Sequence, residues 1–311
     1  MKILLTCPPM IGQIERFRPA FEAKGVQVVI PDNFVQTLSE EALIKLLPDF
    51  DGWIIGDDPA TKQVFEAGKK GKFRAAVKWG IGIDNVDMQA AKNMGIPISN
   101  TPYMFGGEVA DLAVGYTIAL ARYTHLIDKA IREGRWAKPA GISLAGKTVA
   151  LVGFGDIGRS IAKRLLAMDM VLNVYDPFAK DKERYTDYNF SVFPEKLEKA
   201  DFVVLACALT SENKHLINAQ TLEKMKEGVR IVNVSRGGLI DENALIAAMK
   251  SGKVHSVALD VFETEPLPAD SPLRDFENTI FGSHNGSNTI DAVTRASRKA
   301  MSLLFEFLGI D

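Results

Sequence analysis

Apolar and polar positions alternate with two periods along the first hundred residues. Runs at 2–6, 26–30, 53–55, 75–79 and 97–99 have the character of strands, and stripes of helical period cover 17–24, 40–47, 62–67 and 88–94. Such βα alternation predicts a mostly parallel sheet covered by helices. After Asn100-Thr101-Pro102, positions 108–127 form one long apolar helical stretch with few charges, expected to be buried or packed on a partner subunit. The polar segment Arg132-Glu133-Gly134-Arg135-Trp136 leads into a second series of strands at 147–152, 171–175, 202–206, 230–234, 256–260 and 279–282. Positions 291–308 close the chain as an amphipathic helix carrying Val293, Ala296, Ala300, Leu303, Leu304 and Phe307 on one face. No repeat, low-complexity tract or flexible linker interrupts this order, so two closely joined domains are expected.

Composition narrows the partners. A chain of 311 residues has room for two cores, and 47% hydrophobic residues, 24% charged residues and a net charge of −2 describe an ordinary globular protein. That balance predicts neither a nucleic-acid-binding surface nor a disordered tail. The opening apolar run meets Cys7-Pro8-Pro9, too soon for a signal peptide or membrane span. Cys7 and Cys207 border apolar strands far apart in sequence. They read as buried free thiols of a cytoplasmic protein, with a disulfide or a catalytic thiol as alternatives. No Cys/His cluster has the spacing of metal ligands, so no metal is expected.

The densest chemical signal is Gly153-Phe154-Gly155-Asp156-Ile157-Gly158, placed between strand 147–152 and a helical run from Ser160. Strand, glycine turn, helix, second strand and terminal acid in that order form a dinucleotide-binding fingerprint. Gly153 allows the tight turn, Gly155 lets a pyrophosphate reach backbone amides, and Gly158 lets helix and strand pack closely. The helix N-terminus offers amides and partial positive charge to the phosphates. Asp176, ending the second strand, can accept hydrogen bonds from the adenosine ribose and repels a 2′-phosphate. Pro177 and Phe178 follow it where an NADP site would carry arginine, so NAD is the expected cofactor. The alternative is a structural glycine loop that binds nothing.

Three further clusters lie at strand ends, where open α/β sheets bind ligands. They are Asn233-Val234-Ser235-Arg236-Gly237-Gly238-Leu239-Ile240-Asp241, then Ala258-Leu259-Asp260-Val261-Phe262-Glu263-Thr264-Glu265-Pro266-Leu267, then Gly282-Ser283-His284-Asn285-Gly286. Singly, the arginine reads as a surface cation, the glutamate as a solvated turn and the histidine as structural. Together, after a dinucleotide fingerprint, they supply a fixed cation, a carboxylate and an imidazole.

With these motifs the whole chain resembles the D-isomer-specific 2-hydroxyacid dehydrogenase family, which includes phosphoglycerate dehydrogenases, hydroxypyruvate and glyoxylate reductases, D-lactate dehydrogenases and formate dehydrogenases. Gly80-Ile81-Gly82-Ile83-Asp84-Asn85-Val86-Asp87 is similar to its substrate-domain loop, and Glu108-Val109-Ala110-Asp111 to the start of its dimer-contact helix. The resemblance implies two doubly wound α/β domains. A Rossmann NAD-binding domain at 100–286 is inserted in a flavodoxin-like substrate domain formed by 1–99 and 287–311. It implies a homodimer through the helix after Glu108, and cleft closure about a hinge.

By the same resemblance Arg236 holds the carboxylate of a small 2-oxo acid and polarises its carbonyl, His284 is the acid/base, and Glu265 bonds to His284. Cofactor contacts fall to Gly153, Gly155, Asp156, Ile157, Gly158, Asp176, Pro177, Val234, Ser235, Arg236 and Asp260, the last facing the nicotinamide carboxamide. The amides of Ile81 and Gly82 bind the substrate carboxylate. Hydride addition builds negative charge on oxygen, which a guanidinium stabilises while an imidazolium donates the proton. A neighbouring carboxylate favours that imidazolium. Formate oxidation needs no such acid, and formate dehydrogenases are expected to carry Gln at the Glu265 position. His125, His215 and His255 match no catalytic position and read as structural or surface residues.

The chain departs from the family at Gly56-Asp57-Asp58-Pro59, where an Arg-Ser segment is usual. Two carboxylates there disfavour a phosphorylated substrate unless Lys78 compensates. The run Leu205-Ala206-Cys207-Ala208-Leu209-Thr210 lacks the usual His and Pro. Against this, Ser283-His284-Asn285-Gly286-Ser287-Asn288-Thr289 resembles short phosphoglycerate-dehydrogenase-like members, and the resemblance implies substrates of the hydroxypyruvate, glyoxylate or 3-phosphoglycerate type. A non-catalytic NAD(H)-sensing module, like the family's corepressors, is the alternative, although the additional termini of those proteins are not seen here.

Overall fold

The computed structural model describes residues 1–32, 34 and 36–310. The chain divides into two compact units, Met1–Phe105 with Asn288–Asp311, and Gly106–Ser287.

The first unit carries strands β1 (Lys2–Leu5), β2 (Gln27–Val29), β3 (Gly52–Ile55), β4 (Ala75–Lys78) and β5 (Ile98–Asn100). Its helices are α1 (Pro8–Ile11), α2 (Arg18–Glu22), α3 (Glu40–Leu46), α4 (Lys62–Lys69) and α5 (Met88–Asn93). The strands pair in the order β2-β1-β3-β4-β5, all parallel, with Leu4 opposite Trp53 and Ile55 opposite Lys78. That is the flavodoxin-like order. Every residue of β3 and β4 is buried, as expected of a parallel sheet covered on both faces. On one face Leu43, Leu47, Trp53, Phe65 and Phe73 form the core. The C-terminal helix, Ile290–Leu308, covers β3 and β4 with Val293, Ala296, Ala300, Leu304 and Leu308. It packs so closely that a Cβ on Gly52 would lie 3.2 Å from both Leu304 and Leu308. Helix starts follow capping chemistry: Ser39, Thr61, Asp87 and Thr289 each accept a backbone N–H of the first turn.

The domain boundary expected at 99/100 lies at 105/106. The intervening residues are tied to the first unit. Thr101 Oγ1 accepts the Gly80 N–H at 2.9 Å, Phe105 packs on Trp79 with centroids 5.1 Å apart, and Arg295 donates to the Met104 carbonyl. The helix expected over 17–24 is instead a 3₁₀ turn (Ile14–Arg16) followed by α2, with Pro19 near its start. α1 was unforeseen; Pro8 and Pro9 open it at positions where a missing N–H costs nothing.

The second unit opens with α6 (Gly106–Arg122) and α7 (Thr124–Arg132). Strands β6 (Thr148–Val152), β7 (Val171–Tyr175), β8 (Asn189–Phe190), β9 (Phe202–Leu205), β10 (Val229–Asn233), β11 (Val254–Leu259) and β12 (Thr279–Phe281) follow. Helices α8 (Asp156–Leu166), α9 (Ala219–Lys224) and α10 (Glu242–Ser251) alternate with them. The sheet order is β12-β11-β10-β9-β6-β7-β8, again all parallel. The chain builds outward from β6 in one direction, then from β9 in the other, so the switch point lies between these two strands.

Two expectations need correction here. A seventh strand, β8, adds an edge, and its two residues are too few to show a period. The helix expected over 108–127 breaks at Tyr123, which adopts a left-handed conformation (φ 56°). The Ala121 carbonyl, which a continuing helix would need, instead accepts the Ile142 N–H at 2.9 Å. The Tyr123 hydroxyl is anchored 3.1 Å from Nε2 of His255. Among the described residues no helix is long and apolar enough to cross a membrane.

Candidate nucleotide and acid–base site

The glycine turn sits at the switch point. Gly153 has φ 99°, and a Cβ there would lie 2.6 Å from the Cys207 nitrogen at the end of β9. A Cβ on Gly158 would collide with the Gly153 carbonyl, so helix α8 packs on the turn at a distance only glycine permits. Gly155 differs: nothing lies within 4 Å of where its Cβ would be, leaving open space beside the backbone. Gly155 is also the N-cap of α8, with no side chain capping the helix. Two packed glycines around an open one, at a helix start without a side-chain cap, fit a pyrophosphate on backbone amides. Ile157 is half-buried, and Asp156 turns its carboxylate toward Gly106, where a Cβ would lie 2.5 Å from Oδ2.

Asp176 binds the turn as well as ending β7. Its Oδ2 accepts the Phe154 N–H at 2.7 Å and its Oδ1 the Phe178 N–H at 2.8 Å. Each carboxylate oxygen has a second lone pair, so capacity for ribose hydroxyls remains. Pro177 and Phe178 are exposed. Arg159, which sequence reasoning missed although it directly follows the motif, donates to the Phe154 carbonyl at 3.1 Å.

The loop after β10 is organised by the buried Asn233. Its Oδ1 accepts the Ser235 N–H at 3.0 Å and its Nδ2 donates to the Arg236 carbonyl at 2.9 Å. Ser235 Oγ donates to the Cys207 carbonyl, joining this loop to the end of β9, while Val234 is buried. Arg236 is half-buried and one guanidinium nitrogen donates to the Ser235 carbonyl at 2.8 Å. A Cβ on Gly237 would overlap the Phe262 and Glu263 backbone, so the Arg236 loop packs directly on the turn after β11.

That turn presents Glu265. Its Oε1 accepts the Phe262 N–H at 3.0 Å, and its Oε2 lies 2.8 Å from Nδ1 of His284. The two side chains remain 28% and 25% exposed, enough for a reactant to reach them. His284 has φ 55°, a left-handed conformation uncommon for a side chain of this size. Asp260 supports it: its carbonyl accepts the His284 N–H at 2.7 Å, and its carboxylate accepts the Asn285 and Gly286 N–H groups at 3.1 and 2.8 Å. Burial, followed by the Asp260 charge and hydrogen bond, pushes the Tyr116 phenol well above its ordinary range. Asp260 is only 2% exposed, so its carboxylate works at the base of the loop.

In the first unit, Lys78 is equally buried. Its ammonium donates to the Gly56 carbonyl at 2.5 Å and to Asp57 Oδ1 at 3.1 Å. Asp57 also accepts from Gln36. Of the two carboxylates expected at a mouth, only Asp57 keeps an exposed side chain. Asp58 is turned inward, accepts the Leu38 N–H at 2.8 Å, and burial raises its carboxyl pKa. Ile81 and Gly82 are half-buried on a loop fixed by the Asn100 amide, which donates to the Ile81 carbonyl at 2.8 Å. Both cysteines are unbridged. Burial raises both thiols, Cys207 to about 11, so neither has the thiolate character of a nucleophile; Cys207 is only partly buried by surface area.

Comparison with known proteins identifies the family. Residues 114–286 match the model of the D-isomer specific 2-hydroxyacid dehydrogenase NAD binding domain. A hydroxypyruvate reductase of Thermotoga maritima is 39% identical over 282 residues, covering 88% of this chain and 90% of that protein. D-3-phosphoglycerate dehydrogenase 2, chloroplastic, of Arabidopsis thaliana is 39% identical over 259 residues, 82% of this chain but 41% of its own length. The crystal structure of a glyoxylate reductase from Paecilomyes thermophila superposes with a TM-score of 0.84 at 28% identity, covering 99% of this chain and 95% of that one. The chain belongs to the D-isomer specific 2-hydroxyacid dehydrogenase family, as an NAD-binding oxidoreductase.

Proposed function

We propose that the protein reduces a small 2-oxo acid of the hydroxypyruvate or glyoxylate type to its D-2-hydroxy acid. The observation that carries this reading is the 2.8 Å contact between His284 Nδ1 and Glu265 Oε2 at the end of a dinucleotide-binding sheet. NADH would supply the hydride, held by the amides of the 153–158 turn, by Asp176, and by Val234 and Ser235. Asp260 contributes by holding the nicotinamide-side loop.

The side chains handle the charge. Arg236 binds the acid's carboxylate and polarises its carbonyl, so that negative charge developing on oxygen meets a fixed cation. Glu265 accepts from Nδ1 of His284, which leaves the transferable proton on Nε2. His284 donates that proton to the nascent alkoxide, and Glu265 stabilises the imidazolium before transfer. In the reverse direction His284 accepts the proton. Ile81 and Gly82 contribute amides to the carboxylate, and Lys78 acts indirectly by fixing Asp57. Asp57 is paired with Lys78 at 3.1 Å, so its charge is offset and does not by itself select against a phosphate. Asp176 favours NAD over NADP by repelling a 2′-phosphate. A homodimer through α6, the helix after Glu108, and a cytoplasmic location go with this reading.

The test is NADH consumption with hydroxypyruvate, glyoxylate, pyruvate and 3-phosphohydroxypyruvate. Turnover led by hydroxypyruvate or glyoxylate supports the reading, and a preference for the phosphorylated acid would move it to the phosphoglycerate type. Tight NADH binding without turnover of any acid would favour an NAD(H)-sensing module.

A further inference from the structure

His215, read from sequence as structural or superficial, ties the Arg236 loop to the Glu265 turn. Its backbone N–H donates to the Gly238 carbonyl at 2.8 Å, two residues beyond Arg236. Its Nε2 lies 2.5 Å from Glu263 Oε1, two residues before Glu265. The anchoring continues on both sides. Ile217 N–H donates to the Leu239 carbonyl at 2.9 Å, and Asn218 Nδ2 donates to the His215 carbonyl at 2.9 Å. His215 has φ 53°, a left-handed backbone that these bonds hold in place.

Glu263 is fixed from its far side by a reciprocal pair with α10. Its Oε2 accepts the Glu242 N–H at 3.2 Å, and its own N–H donates to Glu242 Oε1 at 2.8 Å. Glu242, at the start of α10, therefore gathers with Glu263 and Glu265 of the turn, with His215 bonded to Glu263 and His284 to Glu265. Burial, and then the charges of Glu263 and Glu265, raise the Glu242 carboxyl pKa against the Glu263 hydrogen bond. Like charges so close repel, and a donor facing Glu263 opposes that repulsion.

We propose that His215 is a positioning residue for the acid–base pair: by holding Glu263 it fixes the turn that aims Glu265 at Nδ1 of His284. The kinetic part of this inference rests on the proposed function; the geometric part does not. His215→Asn is the informative variant, because asparagine tolerates the left-handed backbone but is too short to reach Glu263. His215→Gln keeps the reach and a donor.

The expected result is that His215→Asn and Glu263→Ala each lower kcat about tenfold, with KM and NADH affinity nearly unchanged, as for a small misplacement of a reacting group. The double variant should be no worse than either alone, and His215→Gln should recover most of the rate. A second readout needs no turnover: the downfield Nδ1 proton resonance of His284 should be lost in His215→Asn and kept in His215→Gln. A His215→Asn protein that melts like the parent and retains both kcat and that resonance would overturn the inference. If the parent turned over no acid yet its resonance responded to His215→Asn, the proposed function would fall and the positioning role would stand.

Discussion

Nδ1 of His284 and Oε2 of Glu265 lie 2.8 Å apart, although 19 residues separate them and each sits after a different strand. The contact exists because Asp260, the first residue of the turn that carries Glu265, grips the His284 loop through its backbone carbonyl and both carboxylate oxygens. Sheet geometry delivers the two loops; Asp260 sets the angle of one and the Phe262 N–H that of the other.

Replacing His284 with Ala should lower kcat by about 10²–10⁴ while NADH affinity stays nearly intact, the range expected for losing a general acid. Glu265→Gln should cost less. Removing the carboxylate disfavours the imidazolium, so the alkaline limb of the reduction rate should move to lower pH. Steady-state rates across pH 5–9 measure both, and an unchanged limb in Glu265→Gln would reject the pairing.

Asp260→Asn should damage structure and rate together. An amide has one oxygen where two backbone N–H groups now find acceptors, leaving a buried group unpaired at a cost of roughly 1–3 kcal/mol. Thermal denaturation and kcat should both fall. A variant with parental Tm and rate would contradict the role given to Asp260.

Asp176→Ala removes two hydrogen bonds that hold the glycine turn, in addition to any ribose contact. NADH should bind about tenfold more weakly, as expected for losing charged hydrogen bonds, and NADPH should lose less. Fluorescence titration with both nucleotides reads the ratio. Equal binding of the two by the unaltered protein would remove Asp176 as a discriminator.

Asp201 supplies a pH test. Burial raises its pKa, but the Lys226 ammonium at 2.7 Å and the Thr148 N–H at 3.0 Å outweigh that and lower it. A depressed carboxylate pKa contributes stability that is present above the unfolded value near ~3.9 and is lost as pH falls through the folded value. Asp201→Asn should therefore be about 1–2 kcal/mol less stable than the parent at pH 7, with the gap closing under acid. Denaturant unfolding at pH 7 and pH 3 checks this, and an equal gap at both would exclude the charge as its source.

Much of the fold was legible because burial on both sheet faces leaves continuous apolar strands, as in Gly52–Ile55 and Val229–Asn233. The glycine turn was legible for a stronger reason: Gly153 and Gly158 occupy positions where any Cβ would collide. Features set by tertiary contact were not. The break at Tyr123 depends on Ile142 reaching back to Ala121, and β8 depends on a neighbour more than on its own two residues. In the site, residue types were readable but their orientations were not. Nothing in the local sequence says that Asp58 turns inward, or that Lys78 is covered by Gly56 and Asp57. His215 was missed because its partner Glu263 lies 48 positions away.

The most direct test of the central claim follows the hydride itself. NADH deuterated at the transferred position of its nicotinamide, turned over with hydroxypyruvate, should yield glycerate carrying deuterium at C2 and of D configuration only. Unlabelled glycerate, or labelled glycerate of L or mixed configuration, would contradict it.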